Sequence, residues 1–371
     1  MSWLKVNGCN IQVFFELIQV ALGNRDNLSR VPSAVEWGTL YKESIRQAVA
    51  GIAFEGVKKL PESQRPPKML LFEWITLSEQ IKLQNKMVDR QTRDIWCQLK
   101  NDGFDAAILK GQGIATLYGE LAPYRQSGDI DIWVMGGYQK VCDYVQRTYP
   151  TKDVAYHRFH YDYFKDTEVE LHHRPTLMRN PFDDRKLARW YNSFEADSFV
   201  FLAYKGFAVP SLEFNRIFIL THIYRHFLFE GIGLRQIIDF YFVLRNTDLT
   251  DKKDNNTKEL LKELRLKRFA EAMMWILHTQ FGLEERFLIC GMNEKEGRFV
   301  LSEILQTGNF GQADRRFNGM SKVSRITKHG IHLLMHYPSE VVWTPIWLVY
   351  HKVWKWKKVR EISINPCRKR Q

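Results

Sequence analysis

Cysteine is scarce in this chain. Its five residues (Cys9, Cys97, Cys142, Cys290, Cys367) are an odd number with no CxxC pair, which excludes a disulfide framework and a zinc ribbon and makes reduced thiols the expectation. Long apolar runs are also missing. A membrane-spanning helix needs roughly 18–20 uninterrupted apolar residues, and the best stretches are broken by Glu16, Glu73 or Lys205. The opening MSWLKVNGCNIQVFFELIQVALGN has no clean apolar core and no small-residue cleavage site, so no secretory signal is expected and the expected location is the cytoplasm. There is no internal repeat and no low-complexity tract.

What is present is enough to build a large core. Of 371 residues, 45% are hydrophobic and only 26% charged, a globular balance at a length of about two to three domains. The net charge of +12 is concentrated at the end. From Trp343 onward, eight cations (Lys352, Lys355, Lys357, Lys358, Arg360, Arg368, Lys369, Arg370) face one acid, Glu361. The rest is nearly balanced, so charge alone does not mark it as a nucleic-acid-binding domain. Four of the eleven tryptophans (Trp343, Trp347, Trp354, Trp356) share that tail. The mixture suits weak contact with an anionic surface, a membrane interface or an anionic polymer, or a terminal helix that lays its aromatic face on the body while its lysines stay solvated.

Three regions are expected: a helical stretch over 1–102, a mixed α/β module over 103–197, and a second helical stretch over 198–371 carrying the tail. Leu77, Ile81, Leu83, Met87, Ile95 and Leu99 recur at near-helical spacing in the first, and 101–103 (Asn-Asp-Gly) stops that helix. In the module, strands are expected over 104–109 and 129–134, then two more over 154–165 and 167–172 joined in a hairpin-like turn. Helices are expected over 35–60, after the glycine turn as far as Tyr118, over 138–149 and, from Ser198 onward, throughout. The fold class is α+β.

The chemistry concentrates in the module. In Gly128-Asp129-Ile130-Asp131-Ile132 the two acids point to one face of a strand and the isoleucines to the other. Paired carboxylates repel unless a divalent cation lies between them, although DxD also occurs in surface strands by chance. Glu170, between Val169 and Leu171, is the expected third carboxylate, with Glu168 its rival. Upstream, Lys110-Gly111-Gln112 follows a strand and opens a helix; a glycine there lets backbone N–H groups approach a phosphate. Lys110 and Arg125 can add charge-assisted contacts. His222 and His226 sit one helical turn apart, without the glutamate of a zinc-protease HExxH, and are either metal ligands or packed histidines. Asp239 is either a general base for an acceptor hydroxyl or the partner of Arg235.

In this order, ILKGQGIATLY, YRQSGDIDIWV and EVELHHRP resemble the nucleotidyltransferase superfamily built on the DNA polymerase β-like palm. They are most similar to a bacterial group of uncharacterised nucleotidyltransferases in which KG is followed by HxxxH, GLR and D, here His222 to His226, Gly233-Leu234-Arg235 and Asp239. The resemblance spans roughly residues 105–245. It implies a small palm with helical flanks, Mg²⁺ or Mn²⁺ held by Asp129, Asp131 and Glu170, and nucleotide held at Lys110, Gly111, Gln112 and Arg125. The implied reaction transfers a nucleoside monophosphate from an NTP to a hydroxyl. A sugar or aminoglycoside-like acceptor comes first, protein or RNA second. A palm that senses nucleotide without turning it over is the non-catalytic alternative. One departure is that many superfamily turns read Gly-Ser or Gly-Gly where this chain has Gly111-Gln112.

Overall fold

A computed structural model describes residues 5–6, 9–247, 251–309 and 330–364. The chain divides into two units, each gathered from three stretches: Met1–Lys86, Ala115–Gln126 and Ile219–Ile326 in the first, Met87–Ile114, Ser127–Phe218 and Thr327–Gln371 in the second. Packing, rather than sequence order, draws their boundaries.

The first unit is helical. Helix α1 (Gln12–Leu22) packs on α3 (Ala50–Lys59) so closely that a Cβ on Gly56 would lie 2.5 Å from the Leu17 carbonyl oxygen. Helix α2 (Ala34–Arg46) starts at a capping box in which the Ser33 hydroxyl accepts from the Glu36 N–H and the Glu36 carboxylate accepts from the Ser33 N–H. The single helix expected over 35–60 is therefore two. They part at Ala48, whose φ of +56° breaks the ladder, and the neighbouring Gln47 side chain is held by Glu43 and by the Leu234 N–H.

Helix α4 (Lys68–Asn101) ends at the expected Asn-Asp-Gly stop and contributes to both units. Ile81, Val88, Ile95 and Leu99 are buried along it, whereas Leu83 is exposed. In the second unit its later turns cover a four-stranded mixed sheet of β1 (Ala106–Ile108), β2 (Ile130–Val134), β3 (Arg158–His160) and β4 (Val169–His172). The strand order is β1-β2-β4-β3, with β2 and β4 parallel and the outer pairs antiparallel. One face carries Ala106, Ile108, Ile130, Ile132, Phe159, Val169 and Leu171 into a core shared with α4 and α5 (Gly137–Thr148). Strand alternation therefore sends Asp131, Glu170, His172 and Arg158 to the other face.

Residues 198–211 are not helical as expected. They form a hairpin of β5 (Phe199–Leu202) and β6 (Phe207–Pro210), and Phe199 and Phe214 enclose the Trp133 ring, with centroids 5.2 and 5.0 Å away. Residues 256–281 likewise do not form one helix, because Arg265 at φ +56° separates Asp251–Glu263 from Lys267–Phe281. The tail forms a 27-residue helix (Pro338–Ile364) packed on the second unit. Trp354 and Ile362 pack against the sheet core, and Glu340 accepts the N–H groups of Arg179 and Asn180 at 2.8 and 3.1 Å. Arg368, Lys369 and Arg370 lie outside the described residues. No described helix is long and apolar enough to cross a membrane.

Candidate metal centre

The parallel register of β2 and β4 sets Asp131 directly opposite Glu170. Both are buried, and their chain neighbours Ile130, Ile132, Val169 and Leu171 are fixed in the core beneath them. His172, two residues beyond Glu170 on the same face, brings Nε2 within 2.9 Å of Asp131 Oδ1 and 3.3 Å of Glu170 Oε2. One donor atom from each of these three residues lies within 4.8 Å of the others, the one such three-residue group of metal-binding type among the described residues. Asp129 stands just before β2, a third exposed, at the rim.

Cations balance these acids. Lys110 Nζ lies 3.0 Å from Asp131 Oδ1 and 3.8 Å from Asp129 Oδ2, and Arg158 pairs with Glu170 Oε1. Burial alone would push the Asp131 carboxyl up, but Lys110 and the His172 hydrogen bond outweigh it and hold it well below the usual carboxylate range. Glu170 moves the other way, raised by burial and by the Asp131 charge. Burial disfavours the charged His172, yet its bonds to Asp131 and Glu170 prevail and raise it. Three carboxylates thus face two fixed cations, and Asp131 Oδ2 is buried with no hydrogen-bond partner among the described residues. A buried carboxylate oxygen left in that state is costly.

The glycine turn is built for close approach. Gly111 adopts φ +57°, the left-handed region, and a Cβ there would stand 3.3 Å from the Asp129 carbonyl oxygen. At Gly113 a Cβ would meet the Ile108 carbonyl oxygen at 2.5 Å, so this second glycine lets the turn lie on the strand that precedes it. The helix after the turn is only Gln112–Ala115, ending before the expected Tyr118, and so short a segment contributes little dipole. The Gln112 side chain donates to Asp89 at 2.5 Å.

Two other expected site residues hold each other. Within the first unit the Arg125 guanidinium donates to both oxygens of Asp239, at 2.7 and 2.8 Å, and the Tyr118 hydroxyl donates to Oδ1 at 2.6 Å. Asp239 thus has Arg125 as its bidentate partner, while Arg235 donates to the Gln126 carbonyl. His222 and His226 stack with ring centroids 4.3 Å apart. The Arg225 guanidinium donates to His226 Nε2, and Glu230 lies 2.5 Å from Nδ1, so both ring nitrogens are engaged. Glu168, the rival third acid, is exposed and pairs with His160 Nδ1 at 3.1 Å. His172 and Arg158 join this cluster without being among the residues expected there. His172 was legible from its parity with Glu170; Arg158 depends on the pairing Arg158↔His172, which no local signal announces.

Neither the curated proteins nor the solved structures include a match to this chain. The family model described as "Uncharacterised nucleotidyltransferase" does match, over residues 33–282, a span that contains the glycine turn, the Asp129–Asp131 strand and the Glu170–His172 strand. With more than half of the chain covered by that model, the protein belongs to the uncharacterised nucleotidyltransferase family and is a nucleotidyltransferase enzyme.

Proposed function

We propose that the second unit is a nucleotidyltransferase palm that moves a nucleoside monophosphate from an NTP to a hydroxyl of a small acceptor, a sugar or aminoglycoside-like molecule, with release of pyrophosphate. The observation that carries this reading is the pairing of Asp131 with Glu170 across parallel strands, with Asp131 Oδ2 buried and unpartnered.

The residues fit a divalent cation. Neighbouring ligands in an octahedral shell stand about 3 Å apart, and the spacings from His172 Nε2 to Asp131 and Glu170 already match that. Asp131, Glu170 and His172 would hold the ion, with Asp129 at the rim; the imidazole widens the choice from Mg²⁺ toward Mn²⁺. A bound ion supplies charge neutralisation for the triphosphate and a lowered pKa for the acceptor hydroxyl. The remaining roles belong to the chain. Lys110, held at the rim by two acids, is placed to turn toward a phosphate, and Gly111 exposes the backbone for close approach. Arg158 keeps Glu170 in position. The acceptor oxygen forms a bond to the α-phosphorus as the bond to pyrophosphate breaks, and the hydroxyl proton leaves to solvent. We assign the Arg125–Asp239 pair to holding the first unit together, since both carboxylate oxygens are already bonded.

The test is incubation with each of four α-labelled NTPs, Mg²⁺ or Mn²⁺ and a metabolite extract, followed by mass analysis of labelled products. A labelled, hydroxyl-linked nucleotide is the expected result. Nucleotide binding with no product under any metal would turn the reading to a sensor.

A further inference from the structure

The tail helix Pro338–Ile364 is apolar on two opposite sides. Its inner side carries Glu340, Trp347, Trp354 and Lys358 onto the second unit, where Trp354 meets Tyr156 at 5.3 Å and Lys358 lies 4.9 Å over the Tyr138 ring. Its outer side carries Val342, Ile346, Val349, Val353 and Trp356, spaced by four, three, four and three residues, and each is 48–66% exposed. A stripe with that spacing keeps to one face of a helix over about 21 Å. Aliphatic and aromatic side chains in such a row are ordinarily covered.

Charge identifies the cover. Lys352, Lys357 and Arg360 are exposed and flank or extend the stripe, and the Arg360 guanidinium lies 5.5 Å over the Trp356 ring. The helix's two acids are turned to other tasks: Glu340 is buried on Arg179 and Asn180, and Glu361 pairs with Lys358 at 2.8 Å. The sequence adds Arg368, Lys369 and Arg370 soon after the helix. A second copy paired through this same face would bring the same cations to the contact and no acid of the helix to meet them. An anionic bilayer surface satisfies all of them at once, taking the stripe among its acyl chains and the cations among its headgroups.

We propose that the outer face of helix Pro338–Ile364 docks the enzyme on membranes rich in anionic lipid. The helix lies in the plane of the interface and does not cross it. The proposal is independent of the acceptor and of the metal.

Full-length protein is sedimented with vesicles of phosphatidylcholine alone or with 30% phosphatidylglycerol, at 50 and 300 mM salt. The expected result is binding to the anionic vesicles only, weakened at least tenfold by the higher salt. Ile346→Asp with Val353→Asp, both on the exposed side, abolishes binding, and Lys352→Glu with Lys357→Glu does the same, while thermal melting shows both variants folded. Should the aspartate pair unfold the protein, Ile346→Ser with Val353→Ser replaces it with the same expectation. Absent or salt-independent binding, or equal binding to both vesicle types, overturns the proposal. So does a dimer in sedimentation velocity that the stripe variants dissociate, since that result gives the face to a second copy.

Discussion

His172 Nε2 stands 2.9 Å from Asp131 Oδ1, so a residue two positions beyond Glu170 on one strand joins a candidate donor group begun by an acid on the neighbouring strand. Three carboxylates alone would favour Mg²⁺, which prefers oxygen; an added imidazole suits Mn²⁺ better. His172→Gln is expected to weaken Mn²⁺ binding about 10–100-fold, with a much smaller effect on Mg²⁺. Mn²⁺ titration followed by electron paramagnetic resonance reads this directly. An unchanged Mn²⁺ affinity would remove His172 from the donor set.

Asp131→Asn keeps the side-chain volume and removes the charge. Transfer is expected to fall about a thousandfold, the loss of several kcal/mol of charge stabilisation, with an unchanged circular dichroism spectrum. Turnover near the wild-type rate would remove the metal assignment with it.

The third carboxylate can be decided by a paired comparison. Glu170 is buried opposite Asp131, whereas Glu168 is exposed beside His160. Glu170→Gln should abolish metal-dependent turnover and Glu168→Gln should leave it within about twofold, as exposed changes away from the site usually do. The reverse pattern in the same assay would place the register wrong by two residues.

These assignments differ in how far the sequence alone reaches. The alternation Asp129-Ile130-Asp131-Ile132 shows both the strand and its polar face, because one isoleucine set must be buried whatever the sheet's partners are. The same parity on the later strand selects Glu170 and, two residues further, His172. The breaks at Ala48 and Arg265 carry no glycine or proline, so helical pattern runs through them; they are imposed by tertiary contacts such as that of Gln47 with the Leu234 N–H. The hairpin 199–210 is apolar without strict alternation, and its neighbours are helical. Arg125 and Asp239 are 114 residues apart, and nothing local pairs them. The interleaving of segments between the two units is equally invisible in a linear reading.

That Arg125–Asp239 pair is buried on both sides. Removing one partner leaves an uncompensated charge, so Asp239→Asn is expected to cost about 3–5 kcal/mol in urea unfolding. Replacing both, as Arg125→Met with Asp239→Leu, should recover most of that loss, because no buried charge remains. If Asp239→Asn retained stability but lost turnover, the carboxylate would regain the general-base role.

Glu340 gives the tail a pH signature. Burial raises its carboxyl to about 7, against the opposing pull of the N–H groups of Arg179 and Asn180. A carboxyl with a raised folded pKa binds its proton more tightly in the native than in the unfolded chain, so its contribution is fullest below the unfolded value near 4.5 and is lost as pH rises to about 7. At about 1.4 kcal/mol per unit, the loss amounts to about 3 kcal/mol. Glu340→Gln cannot titrate and should lack that component. The stability difference between wild type and Glu340→Gln, measured by urea unfolding at intervals from pH 4 to 8, should therefore shift by about this amount in favour of the variant. The shift should occur between about pH 4.5 and 7 and then level off. The variant also loses one of the two backbone acceptors, which sets a constant offset but no slope. A difference flat across the whole range would mean that Glu340 stays charged where it sits, and that the tail is pinned by an ion rather than by a neutral acid.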